Sequence, residues 1–273
     1  MPDPLTALLA LGRQLLLFTA LLTPLELLFP AYPAQGPLRR GLLRDLGWAA
    51  LGVLTVGPAA AVVLALLTSA REALFPAPLS ATLAAQPWGV QVVEILLVAE
   101  LASYLVHRAA HDVPWLWRLH RVHHSSPALD WVSTHRMHPL DSLLLLVASN
   151  LVPVALGFPA GSMLGVVLLQ RLHTAWLHSN LRLPEGAWER HFAGPRFHRH
   201  HHAADLPAAN FASMLPALDL AFGTFRLPGG EPAFLGLGSG LGEGPAAGLS
   251  SAAGARPAAP TPTEGVAPPV ALA

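Results

Sequence analysis

Histidine is the residue type in this chain that could carry chemistry, and its placement is uneven: all 14 histidines fall between His107 and His202. His107 and His111 form HxxxH, and i,i+4 spacing on a helix puts both imidazoles on one face. His120, His123 and His124 form HxxHH, and the pattern returns as His198, His201 and His202. On a helix, residues three or four apart share a face, while an adjacent pair diverges by about 100°. One HxxHH can therefore supply ligands to two neighbouring metal ions. The three motifs carry eight imidazoles, more than the roughly four that one zinc accepts and suited to a pair of metals. Without cysteine, imidazole-rich sites favour iron, zinc or copper. The run His198–His202 holds a fourth imidazole, His200. With His198 at 0°, His201 and His202 fall at about 300° and 40°, and His200 at about 200°, so His200 is expected to point away.

Taken singly, HxxxH is commonly a surface pair, and a run such as 198–202 a basic loop. Three such motifs at the ends of apolar stretches point to a metal centre. The elements that must position them are membrane helices. Only 12% of residues are charged and 53% are hydrophobic, with mean hydropathy +0.48, against about 25% charged in ordinary soluble proteins. Cationic and anionic residues balance at 16 each, so no basic excess points to a nucleic-acid partner. The absence of cysteine excludes disulfides, iron–sulfur clusters, thiolate haem and cysteine nucleophiles.

Five apolar stretches approach the ~20 residues that cross a bilayer: Leu15–Pro30, Gly47–Ser69, Val90–Val106, Leu140–Leu156 and Gly161–Leu177. The first, broken by Pro24 and Glu26, could span or lie in the interface. The third holds Glu94 and Glu100, which at that depth should face the bundle interior or a wet cavity. Gly157 to Ala160 reads as a tight turn between antiparallel helices. Arginines 39, 40 and 44, then 108, 118, 121 and 136, then 182, 190, 196 and 199 follow the first, third and fifth stretches. The positive-inside rule puts all three groups in the cytoplasm. The expected fold is all-α: a multi-pass membrane helical bundle of about four to five membrane helices, with a cytoplasmic histidine-rich helical cap. Residues 1–44 are read as an N-terminal membrane or interfacial helix and basic loop, 45–226 as the site-bearing domain, and 227–273, rich in Gly, Pro and Ala, as a disordered tail.

From Ser103 to Asp141 the chain reads SYLVHRAAHDVPWLWRLHRVHHSSPALDWVSTHRMHPLD; later come His178-Ser179-Asn180, PRFHRHHH, and NFASMLPALDLAFGTF from Asn210 to Phe225. These motifs, in this order, resemble the signature of the fatty acid hydroxylase/sterol desaturase superfamily of integral-membrane di-iron oxygenases, over roughly residues 45–226. Within it the HxxxH, HRVHHSS and HPLD elements look closest to a bacterial sterol desaturase-like branch. The resemblance implies two iron ions held by His107, His111, His120, His123, His124, His198, His201 and His202. His138 in the HP element and His178 in HSN match further family histidines, whereas His135, His173, His191 and His200 lie outside the pattern. It also implies O2 as co-substrate and hydroxylation or desaturation of a lipid C–H bond (sterol, fatty acyl or related). Electrons would come from a separate ferredoxin, cytochrome b5-like protein or reductase. The expected location is the bacterial inner membrane, with the site facing the cytoplasm. Asp112, Asp130, Asp141, Asp205, Asn180 and Asn210 are candidates to accept the outer N–H of a ligating imidazole. Trp115, Trp117, Trp131 and Trp176 are read as interface anchors. The alternative is a histidine-rich membrane metal transporter or metal-binding protein. Transporters place ligands near the bilayer midplane, where this chain has only Glu94 and Glu100. An intramembrane zinc protease would need HExxH, which is absent.

Overall fold

The structure, a computed structural model, describes residues 3–74 and 77–237. Among the described residues nine α-helices follow one another: α1 (Pro4–Leu28), α2 (Leu42–Leu74), α3 (Ala77–Ala85), α4 (Trp88–Asp112), α5 (Pro114–His124), α6 (Pro139–Leu156), α7 (Ala160–His178), α8 (Pro195–His201) and α9 (Ala217–Ala221). Short 3-10 turns lie at Trp131–His135 and Ala187–Arg190, and the β pairing among the described residues is two isolated bridges. Proline sets many of the starts: α1, α5, α6 and α8 each begin on Pro, where its missing N–H is one the helix cannot use and its fixed φ suits the first turn. α6 stops at Gly157, whose φ of 84° is left-handed. A Cβ there would also lie 2.8 Å from both Arg71 Nη1 and Ser80 Cβ.

Among the described residues four helices are long and apolar enough to cross a membrane: α1, α2 over Leu42–Arg71, α4 and α6. The first apolar stretch is thus one continuous helix through Pro24. α7, of 19 residues and about 28 Å, runs beside α4 over the same depth, with Ser162 bonded to Gln91 near its start. It is less apolar because Gln170, Arg171 and His173 lie within it. Packing order around the bundle is α1, α2, α6, α4, α7. At one end gather the C-termini of α1, α4 and α7 and the N-termini of α2 and α6. α5, α8, both 3-10 turns and the segment after α8 close over that end.

Apolar contacts and buried ions fix this cap. Phe18 and Leu22 of α1 pack on Trp131, Val132 and Ala175. Tyr104, Leu177, Phe197 and Phe211 join α4, α7, α8 and the loop at 211. Glu26 accepts from the backbone N–H of Trp131 (3.0 Å) and Asn180 (2.9 Å). Glu100 faces the interior, as expected, but there it accepts from the N–H of Met214 at 2.7 Å, so it anchors a loop. Arg39 pairs with Asp45 and Asp130, both at 2.6 Å, and Arg136 also pairs with Asp45.

Residues 227–237 depart from the expected disorder. Arg199 pairs with Glu231 at 2.6 Å, Tyr32 Oη donates to Pro232 O at 2.7 Å, and Ala203 bridges to Leu235. Buried polar partners supply here what the segment's own apolar residues could not. Residues 238–273, the rest of the expected tail, lie outside the described residues.

Asp45 is fully buried between two guanidinium groups, so its removal leaves Arg136 without a carboxylate and Arg39 with Asp130 alone. Asp45→Ala should cost about 3–5 kcal/mol and lower the thermal unfolding midpoint of detergent-purified protein by roughly 10 °C. Arg40→Ala, at an exposed neighbour, should leave it nearly unchanged.

Candidate metal centre

The histidine-bearing helices meet at the capped end, and their imidazoles sort into two groups. His107, His111, His120, His124 and His201 form one; His123, His178, His198 and His202 form the other. Within each group, one nitrogen of every residue lies within 4.8 Å of those of the others. The helical spacing explains the sorting. In α5, His120 and His124 share a face and join the first group, while His123 turns to the second. In α8 the division is mirrored: His198 and the following His202 join the second group and His201 the first. α4 adds His107 and His111 to the first group, and α7 adds His178 to the second.

Oxygen atoms behind the rings set their direction. His107 Nδ1 donates to Phe211 O (2.8 Å), His120 Nδ1 to Asp141 Oδ2 (2.9 Å), His123 Nδ1 to Arg136 O (3.2 Å), His178 Nδ1 to Thr174 O (2.8 Å) and His201 Nδ1 to Ala209 O (2.8 Å). Carbonyl and carboxylate oxygens only accept, so the proton is assigned to Nδ1 and Nε2 carries a lone pair. Those lone pairs converge. His107 Nε2 lies 3.1 Å from His120 Nε2, and His123 Nε2 lies 3.1 Å from His178 Nε2. Two neutral acceptors at that distance share no proton, and a cation between them removes the repulsion. His111, His124 and His201 each leave a buried Nε2 with no hydrogen-bond partner. Burial, reinforced by neighbouring imidazoles, pushes His123, His124, His198, His201 and His202 well below the ordinary histidine range. They are therefore neutral at pH 7, the form that binds metal. This donor set fits metal ions.

Nine of the ten histidines expected as ligands come together here. His138 does not join either group: its Nδ1 accepts from Leu140 N at 3.2 Å and caps α6. His200 points away, as its helical angle requires, and donates Nδ1–H to Arg196 O at 3.0 Å. His173 bonds Ser213 O. Among the candidate supporting groups, Asp141 takes the imidazole N–H of His120. Asp130 pairs with Arg39 and caps the 3-10 turn at Trp131, and Asp112 faces Arg108 at the surface. Trp117 is a wall of the centre, with its ring 5.1 Å from His111 and 5.5 Å from His124.

The loop that supplies two of the oxygen acceptors is invisible to residue-type reasoning, since it works through carbonyls. Asn210, at φ 60°, bonds Phe197 O and Arg226 O. Asp219 accepts from Phe211 N (2.8 Å) and Ala212 N (2.9 Å). Together they hold the Ala209 and Phe211 carbonyls against His201 and His107. Their signal was present in the sequence only as the NFASM…LDLAFGTF string.

Beside the centre lies an open-sided cavity of about 480 Å³. Its walls are α1, α2, α6 and α7, and His107, His120, His123, His178 and His198 form one end. Arg171 also lines it. Sequence reading passed over this residue, although a charge inside the fifth apolar stretch was a signal to find it.

A family model described as fatty acid hydroxylase matches residues 92–224, which include all nine converging histidines. Residues 92–224, just under half of the chain, are thus similar to the fatty acid hydroxylase family. The chain is 33% identical over 144 residues to the ornithine lipid hydroxylase OlsE of Rhizobium tropici, covering 52% of this chain and 44% of that protein. A Dictyostelium discoideum protein, provisionally named a methylsterol monooxygenase, is 29% identical over 141 residues, 49% of this chain and 50% of the relative. The alkylglycerol monooxygenase of Danio rerio is 28% identical over 148 residues, 54% of this chain and 32% of the relative. The chain thus spans half or less of the length of these relatives. No solved structure matches it.

Two outcomes follow from the geometry of this histidine centre. Metal content of single variants should divide the run at 198–202: Ala at His198, His201 or His202 loses metal, whereas His200→Ala retains the wild-type amount. The second concerns pH. Histidines held below their unfolded value near 6.5 contribute stability that is fully present above pH 6.5 and is lost as pH falls below it. The metal-free protein should therefore show an unfolding midpoint that drops steadily from pH 7 to pH 5.

Proposed function

We propose that the chain is a membrane-bound di-iron oxygenase that hydroxylates or desaturates a C–H bond of a lipid. The observation that carries this reading is the pair of imidazole groups, five and four, at the end of a cavity walled by membrane helices. The relatives named as lipid hydroxylases and monooxygenases support it. His107, His111, His120, His124 and His201 would hold one iron, and His123, His178, His198 and His202 the other. When bound, the irons supply O2 activation and oxidation of the carbon.

The protein's own contribution is position and exclusion. Phe211 O, Asp141, Arg136 O, Thr174 O and Ala209 O hold the rings in one tautomer and one orientation. Leu11, Phe18, Val53, Val56, Leu145 and Val167 wall the cavity and suit an apolar chain lying along it. The cap formed by α5, α8 and residues 203–237 covers the centre from the polar side. Electrons would come from a separate ferredoxin, cytochrome b5-like protein or reductase. The arginines clustered at the capped end support a cytoplasmic orientation, which in a bacterium means the inner membrane.

A metal transporter is the less supported reading. Glu100, a fully buried carboxylate inside the third expected stretch, is bonded to Met214 N–H, and the imidazoles sit at one end of the bundle.

Protein expressed with iron should contain two iron atoms per chain by elemental analysis; one or none in fully loaded protein overturns the di-iron assignment. With an added electron donor it should form an O2-dependent lipid product that His120→Ala or His201→Ala abolishes. Altered cellular iron or zinc without any lipid change would favour transport instead. Reporter fusions at Gly41, Ser126 and Gly229 should agree with one another and oppose one at Ala77. A different pattern removes the cytoplasmic orientation.

A further inference from the structure

Arg171 lines the cavity without a counter-ion among the described residues. Arg171 lies on α7 seven residues before His178, about 10 Å deeper along the helix axis. Four buried arginines around the capped end have carboxylate partners: Arg39 and Arg136 pair with Asp45, Arg196 with Glu189, and Arg199 with Glu231, whereas Arg121 is buried in the cap on α5, away from the cavity. Arg171, among the described residues, makes neither an ion pair nor a hydrogen bond.

Its surroundings show what it lacks. The cavity it lines contains no aspartate or glutamate, so its side chain, exposed along the open side of that cavity, is an uncompensated charge at the depth of the membrane helices. Such a charge is costly, and in membrane helices it ordinarily marks a functional contact. Close by is His135, which burial and then the Arg171 charge push down to about 4. It is therefore neutral, and its buried Nε2 has no hydrogen-bond partner. Gln14 of α1 and Gln170 of α7 line the same cavity. An unpaired guanidinium, an unpartnered imidazole nitrogen and two amides make a recognition surface for oxygen. The one positive charge requires that oxygen to be anionic.

We propose that Arg171 binds the anionic head group, a carboxylate or a phosphate, of the lipid that occupies the cavity. This rests on the reading of the cavity as the substrate site. The guanidinium fork matches both anions in bidentate fashion, and His135 Nε2 stands beside it as a further polar contact. Access is lateral. α1 packs against α2, and α7 against α4, and the two helices face each other across the cavity, joined at the capped end through Trp131 and its neighbours. A lipid sliding between α1 and α7 meets Arg171 on its way to the histidine end. An uncharged sterol or alcohol would leave the guanidinium desolvated and unpaired, so the site discriminates against neutral lipids.

The test is equilibrium binding to detergent-purified, metal-loaded protein at pH 8, with no electron donor. Four tritiated probes serve: oleate, oleoyl lysophosphatidic acid, oleyl alcohol and monoolein. Wild type should hold at least one of the two anions about tenfold more tightly than its uncharged counterpart. Oleate alone assigns the carboxylate and lysophosphatidic acid alone the phosphate. Arg171→Gln should erase the preference while the uncharged probes bind as before, and Arg171→Lys should keep part of it. Arg13→Gln, which removes an arginine of α1 that does not line the cavity, should keep all of it. Wild type without a preference, or Arg171→Gln with the preference intact, overturns the proposal. The assay needs no turnover, so a protein that binds anions through Arg171 but oxidises no lipid would sink the oxygenase reading and leave this one standing.

Discussion

Nine imidazoles can be packed together only if they are neutral and their lone pairs point inward. Charged, they would repel one another and each would lose its hydration; neutral but misoriented, they would leave N–H groups directed at N–H groups. The protein meets this constraint by placing an oxygen acceptor behind the Nδ1 of His107, His120, His123, His178 and His201. Much of the surrounding architecture serves to put those oxygens in place. Thr174 O comes from the helix that also bears His178. Asp141 comes from the first turn of α6. Arg136 O, Ala209 O and Phe211 O come from connecting segments that have no regular structure to hold them.

Those segments are held by buried charge. Asp45 at the start of α2 binds Arg136 through its side chain, and the carbonyl of the same residue receives His123. One ion pair therefore connects a membrane helix to the second imidazole group. Asp219 plays a comparable part for residues 211 and 212, and Glu100 for Met214. Buried ion pairs are weak sources of net stability, but breaking one is costly. That combination suits elements whose task is to fix geometry. Arg199, fully buried, binds Ser179 O, Leu181 O and Glu231 at once, tying α7, α8 and the 227–237 segment into the cap.

The cavity and the centre are different materials in contact. The imidazole end is polar and enclosed, whereas the walls contributed by α1 and α2 are apolar apart from Gln14, and the outer faces of these helices expose Leu16, Leu17, Leu51 and Leu54. Interior small residues such as Ala49 and Gly52 leave volume that a larger side chain would fill. The family match over residues 92–224 covers the histidine motifs, while α1 and α2, which form one side of the cavity, lie before it.

The histidine pattern alone determined a great deal. HxxxH and HxxHH spacing put the right residues on common faces, predicted that one HxxHH would serve two groups, and placed His200 on the far side. Helical geometry is local, so residue numbers suffice for it. Hydropathy likewise placed a helix at each expected stretch, because a bilayer sets a length that composition must satisfy, but α1 begins at Pro4, well before the expected Leu15, and α7 is not among the four helices apolar enough to span. Tertiary structure alone decided the rest. It brought His178 to His123 and His198, left His138 as the cap of α6, and ordered 227–237 through Glu231 and Tyr32. It also chose backbone carbonyls over most of the candidate carboxylates as acceptors, and set Arg171 in a cavity without a counter-ion. Each of these depends on which atoms lie opposite one another across helices far apart in the chain. A backbone carbonyl carries no residue-type signature at all, so no reading of side chains could have found it.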